Sequence, residues 1–174
     1  KLHSPIQGWF GHQRPFDFAR SFEPAADIQR FAAGTPHVLS LMPVLAGIDT
    51  LLGAGMDQLR EKSLGQTQFL LKLFHEWLRP LGFRLGSPEA AEMRGSHITL
   101  RHPDGYRINQ AMIRPEKSGN PVVIPDFRPP DNIRLGIAPL YISYEDIYRA
   151  VKRIREIVAS GEFQNFSGEI TGIT

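Results

Sequence analysis

The sequence predicts an α+β domain in which a short, largely antiparallel sheet is covered by helices. Three observations carry this prediction. Apolar residues recur at spacings of three and four over 56–81 and again over 144–158, the period of an amphipathic helix. Short alternating runs at 96–101 and 133–137 are bounded by turn residues, as half-buried strands are. The elements run helix, helix, strand, strand, helix, strand, strand, helix, and short strands joined by hairpins do not build a doubly wound parallel sheet.

Residues 1–35 stand apart as an aromatic, Gly- and Pro-rich segment, and residues 36–174 hold the small α+β domain. The segment carries Pro5, Gly8, Gly11, Pro15 and Pro24 among Trp9, Phe10, Phe16, Phe18 and Phe22. Prolines and glycines at that density break regular elements, yet the aromatic content is too high for a disordered tail. Such a segment wants a surface to lie on. Gly34-Thr35-Pro36 reads as a helix start, with Thr35 as N-cap and Pro36 at the first helical position. That helix reaches to about Leu52. Pro43 within it removes a hydrogen bond and costs about 3 kcal/mol in a helix interior, so a start at Ser40 is the competing reading.

The next helix, 56–81, places Leu59, Leu70, Leu73, Phe74, Trp77 and Leu81 on one side, and Gly82 ends it. Strands are expected at 83–85, 96–101, 122–124 and 133–137, with a short helix at 106–113 and a polar loop at 114–121. Ser143 and Asp146 form a capping box for the last helix, whose buried side is Tyr144, Ile147, Val151, Ile154 and Val158. Its basic cluster, Arg149, Lys152, Arg153 and Arg155, is interleaved with Glu145, Asp146 and Glu156 and reads as a solvated face.

At 174 residues and 41% apolar content, one domain can hold a core without staples. With no cysteine, disulfides, thiolate metal sites and a cysteine nucleophile are excluded; that fits a reducing cytoplasm. Net charge is +2 with the basic residues dispersed, which excludes the concentrated stripe of a nucleic-acid binder. The longest apolar run, Val38 to Ile48, is interrupted by Ser40, Pro43 and Gly47 and falls short of the roughly 20 residues that span a bilayer. The start does not resemble a signal peptide. It begins with Lys1, so processing or truncation there is expected.

The motifs of self-contained catalysis are missing. There is no His-Glu-x-x-His, no Gly-x-Ser-x-Gly, no P-loop and no Gly-x-Gly-x-x-Gly, and the six histidines read as surface or hydrogen-bonded structural residues. Three features remain. Gly8-Trp9-Phe10-Gly11-His12 sets two large rings between glycines, either as a packing anchor or where the backbone bends around a ligand, and Trp9 brings an indole N–H. Thr35, at a helix entrance, is either a plain N-cap or a hydroxyl beside backbone N–H groups that suit an anion such as phosphate. Arg134 lies between Ile133 and Leu135, so strand alternation aims it away from the core. There it is either an ordinary exposed arginine or a planar grip for a carboxylate.

In chain order, several segments resemble the C-terminal part of kynureninase. They are Gly-Trp-Phe-Gly-His at 8–12, Arg-Phe-Ala-Ala-Gly-Thr-Pro at 30–36, Leu-Arg-Glu-Lys-Ser at 59–63, Arg-Gly-Ser-His at 94–97, and Asp-Phe-Arg-Pro-Pro-Asp-Asn-Ile-Arg-Leu-Gly-Ile-Ala-Pro-Leu-Tyr at 126–141. All but about the last dozen residues take part, and the loop 114–121 looks longer and more proline-rich than the family's link. The resemblance implies the small domain of a fold type I pyridoxal-phosphate enzyme, a cytoplasmic homodimer that hydrolyses L-kynurenine to anthranilate and L-alanine. It implies that Trp9 and Thr35 bind the cofactor phosphate, largely across the dimer interface. Phe10 would lie against the substrate ring, and Arg134 would hold the substrate α-carboxylate. It also implies that the Schiff-base lysine, the aspartate facing the pyridine nitrogen and the stacked aromatic lie in a large domain upstream of Gly8. None of Lys1, Lys62, Lys72, Lys117 and Lys152 has that motif context, so no catalytic residue is expected here and the piece alone is expected to be inactive. The competing readings are a related pyridoxal-phosphate desulfurase or aminotransferase, and a non-catalytic interaction module.

Overall fold

A computed structural model describes residues 2–170, and the chain divides between Thr50 and Leu51 into two compact units. In the first, Trp9–Gly11 and Ile28–Phe31 are single 3-10 turns, and His12 and Pro24 form an isolated antiparallel bridge. The glycines are required by close approach. A Cβ on Gly8 would stand 1.9 Å from the Ala33 carbonyl oxygen, and one on Gly11 would stand 2.7 Å from that of Arg30. His12 is buried: its Nδ1 accepts the Arg14 N–H at 2.9 Å, which leaves Nε2–H to donate to the Ser21 carbonyl at 3.2 Å. Asp27 caps the second turn through the Gln29 N–H.

Helix α1 (Val38–Ala54) begins between the two expected starts, after Thr35 and Pro36 and two residues before Ser40. The Ser40 and Leu41 N–H groups both donate to the His37 carbonyl, so the first turn closes on His37 and Thr35 caps nothing. Pro43 lies inside the helix, and none of the helix's residues is buried.

Gly55, at φ +82°, separates α1 from α2 (Met56–Leu73). The helical path expected to 81 continues as a π turn over Phe74–Leu78 and a 3-10 turn over Arg79–Leu81. It stops at Gly82, whose φ of +91° suits a residue without a Cβ. The remaining elements are β1 (Arg84–Leu85), β2 (His97–Arg101), α3 (Gly105–Ile113), β3 (Asp126–Arg128), β4 (Asn132–Gly136) and α4 (Tyr144–Ser160). The strands form one antiparallel sheet in the order β1-β2-β4-β3. This is the α+β architecture the sequence predicts.

One strand is displaced from its expected place. Val122–Ile124 joins no ladder: Val123 donates its N–H to the Met112 carbonyl, while Val122 and Ile124 are exposed. The strand forms instead at Asp126–Arg128, where alternation buries Phe127 alone.

One sheet face supplies Ile98, Leu100, Phe127, Ile133 and Leu135 to the core. The helices cover it with Leu70, Leu71, Phe74 and Leu78, with Ile108 and Met112, and with Ile147, Val151, Ile154 and Ile157. Each such side chain contributes about 1.5–3 kcal/mol when fully buried. The Ser143–Asp146 capping box is present. Within α4, Arg149 pairs with Glu145 and Lys152 with Glu156 on the exposed side, as expected. Arg153 departs from that pattern, being only 2% exposed. Its Nη1 donates to Glu162 at 2.8 Å, and its Nη2 donates to the other Glu162 oxygen and to the Ala111 carbonyl. A buried charge survives only with such partners.

Candidate functional site

Strand alternation gives the sheet two chemically different faces. Opposite the core face, β4 presents Asn132, Arg134 and Gly136, and register places them beside Arg101, Thr99 and His97 of β2. On the other side of β4, Asp126 pairs with Arg134 and Arg128 with Asn132. Arg84 of β1 continues the row beside Arg101. Arginine dominates this face, and the carboxylates within it are shared. Asp131 takes Arg101 at 3.1 Å and Arg84 at 3.9 Å.

Arg134 is half-exposed, with a side chain 41% accessible, and its position away from the apolar layer is the one alternation predicts. It is not alone. Nε donates to Asp126 Oδ2 at 2.8 Å, and Nη2 donates to the same oxygen. Arg128 Nε reaches that oxygen at 3.2 Å. The hydrogen bonds from Arg134 hold the Asp126 carboxyl below the usual aspartate range, and the Arg128 charge acts in the same direction. Asp126 is therefore ionised under ordinary conditions.

The chain following β4 is fastened from α2. Lys62 Nζ donates to the Pro139 carbonyl and Gln66 Nε2 to the Ile142 carbonyl, each at 2.6 Å. From the same stretch of α2, Arg60 donates to the Ala91 and Arg94 carbonyls, and Ser63 shares a hydrogen bond with Ser96 at 2.7 Å. Arg94 is itself buried and donates to Pro88 and Glu89 carbonyls. The 59–63 and 94–97 motifs are thus structural ties, and they fasten the end of the β2–β4 ladder where His97 faces Gly136.

Trp9, Phe10 and Thr35 belong to the first unit and Arg134 to the second. Trp9 is 47% exposed and packs edge-on against Phe10 with centroids 4.9 Å apart, and against Phe16 at 5.8 Å. The contact between Gly8 and Ala33 brings the chain beside Trp9 against the chain two residues before Thr35. Thr35 is exposed. Among the described residues, neither the Trp9 indole N–H nor the Thr35 hydroxyl has a hydrogen-bond partner. No cluster of three or more potential metal ligands occurs among them.

Apolar pattern alone does not single out Asp126 and Arg128. The signal for them was available: a three-residue connection, 129–131, between two alternating strands sets Asp126 opposite Arg134. Placing the strand on the more apolar 122–124 hid that register.

Comparison with known proteins places the chain in a family. The model of the kynureninase C-terminal domain matches residues 59–154, from the first tie of α2 through Arg134 into α4. Kynureninase of Geobacillus thermodenitrificans is 35% identical over 166 residues, 94% of this chain and 37% of that protein. Kynureninase of a Bacillus cereus strain aligns at the same identity and coverage. That of Deinococcus radiodurans is 37% identical over 153 residues, 88% of this chain and 36% of its own length. The chain thus spans little more than a third of the curated relatives it matches. With more than half of its residues inside the domain match, the chain belongs to the kynureninase C-terminal domain family.

Proposed function

We propose that this chain is the substrate-carboxylate half of a pyridoxal-phosphate-dependent kynureninase, which hydrolyses L-kynurenine to anthranilate and L-alanine. The observation that carries the reading is Arg134: a half-exposed guanidinium on the arginine-rich face of the sheet opposite the core, inside the matched domain. A planar guanidinium grips a carboxylate through two parallel N–H bonds. Arg134 in this role anchors the α-carboxylate and orients the amino acid, and Phe10 bears on the aromatic ring.

Trp9 and Thr35 fit the cofactor phosphate by chemistry. Each offers an accessible donor, and the Gly8–Ala33 contact holds their segments together. Pyridoxal phosphate, when bound, supplies the electron sink for the cleavage; the residues of this chain bind and orient. The Schiff-base lysine is assigned to a larger preceding domain, and the chain alone is inactive. The working enzyme is a cytoplasmic homodimer with a small-molecule substrate. Its partners include neither nucleic acid nor membrane. No single described helix is long and apolar enough to cross a membrane. Residues 1–35 are the link to the large domain, and the apolar surface of that segment and of α1 is where the rest of the enzyme packs.

The test is Arg134→Ala in the full-length enzyme, followed by anthranilate release. The expected loss in kcat/KM corresponds to about 2–4 kcal/mol of charge-assisted bonding. Unchanged kinetics would remove Arg134 from substrate binding. Alanine or sulfide release without anthranilate would assign the chain to an aminotransferase or desulfurase instead.

A further inference from the structure

We propose that Asp126 is a positioning residue for Arg134, and that Arg128 keeps the charge of the pair positive so that it still attracts an anion. This deepens the carboxylate reading above and rests on it. A guanidinium offers five N–H donors in a rigid plane, and a carboxylate can dock on its side edge, Nε with Nη2, or on its end, Nη1 with Nη2. Here the side edge is taken. Both Nε and Nη2 converge on Asp126 Oδ2, and the cross-strand register of β3 and β4 fixes where that oxygen lies. The guanidinium is consequently held in one plane before any ligand arrives. Its end remains for a second carboxylate.

Such an arrangement lowers the ordering cost of binding, because a long arginine side chain is already immobile. It brings a difficulty of its own, since a lone Arg–Asp pair is neutral and draws an incoming anion weakly. Arg128 resolves it. Two residues along β3 and on the same face as Asp126, it donates to the same oxygen at 3.2 Å. Two guanidinium groups then share one carboxylate, and net positive charge stays on the face. Asp126 is no buried structural carboxylate, because its side chain is 30% accessible and neither the core nor a helix cap uses it.

The experiment uses the full-length enzyme with Asp126→Ala, Asp126→Glu and Arg134→Lys. Substrate is L-kynurenine, and the control ligand is its α-carboxamide as a competitive inhibitor. Thermal melts verify that each variant folds. Asp126→Ala is expected to raise KM for L-kynurenine on the order of tenfold, the effect of one misaligned charge-assisted bond, with kcat changed far less. Asp126→Glu should recover part of the loss, and Ki for the carboxamide should stay within about twofold of wild type, since it presents no anion to the guanidinium. A merely structural role would move both ligands together, and that result overturns the proposal. Damage from Arg134→Lys with no effect of Asp126→Ala overturns the positioning role alone. Indifference to Arg134→Lys would remove the carboxylate reading itself and this inference with it.

Discussion

Up to Thr50 the described chain buries one apolar side chain, Ala25, while Trp9, Phe16, Phe18, Leu39, Leu45 and many others stand exposed. From Leu59 onward the same kinds of residue build an enclosed core, in which Ile98, Leu100, Ile108, Ile133 and Ile154 have no accessible surface. The two helices of equal length show the contrast best. In α4 the apolar residues share one side and charged pairs occupy the other. In α1 apolar residues go round the whole circumference, and none is covered. A helix that is apolar all round is a helix meant to be enclosed, so the difference marks which surfaces this chain completes by itself.

The contrast can be broken most severely at Arg153. Replacing it with alanine leaves Glu162 as an uncompensated, nearly buried carboxylate, and a loss of about 3–5 kcal/mol is expected in chemical denaturation. If the second unit tolerated that change, its tight packing would be in doubt. The next test is a matched pair. Leu100→Ala should cost about 2–5 kcal/mol, whereas Leu45→Ala in α1 should stay within about 0.5 kcal/mol, as exposed positions do. Equal effects would mean that α1 is covered in solution. The smallest effect is acid sensitivity. Hydrogen bonds from Arg153 hold the Glu162 carboxyl below the ordinary glutamate value of 4.5. A depressed carboxyl contributes stability that is fully present above that value and lost as pH falls through the lower folded one. Glu162→Gln, which also leaves Arg153 without its counter-charge and so lowers the melting temperature at neutral pH, should therefore flatten the further decline below pH 4.5.

These regions also differ in how far their sequence could be read. Where cover comes from the chain itself, period was a sound guide: α2, β2, β4 and α4 lie where their apolar spacing puts them, and Ser143 caps as its motif says. The misses share a cause. Val122–Ile124 was apolar enough to look like a strand, but ladder formation depends on a partner in register, and β4 pairs with Asp126–Arg128. Arg153 looked like part of a charged face, although Ile157, one turn on, is buried and Glu162 returns to meet it. At Thr35 the residue types of an N-cap were present, yet the first turn closes on His37. Arg134 was legible because alternation alone decides its face. Its tie to Asp126 was not, because that needed the register of the hairpin.

The short connection 129–131 carries more than its size suggests. It sets β3 against β4 so that Phe127 and Ile133 share the oily side while Asp126 and Arg134 share the wet one. Side chains alternate with a period of two, so lengthening one arm of this hairpin by a single residue would invert every neighbour at once. Isoleucine would then meet water and arginine would meet leucine. The fold and the proposed carboxylate recognition depend on the same short loop, and drift in its length would damage both together.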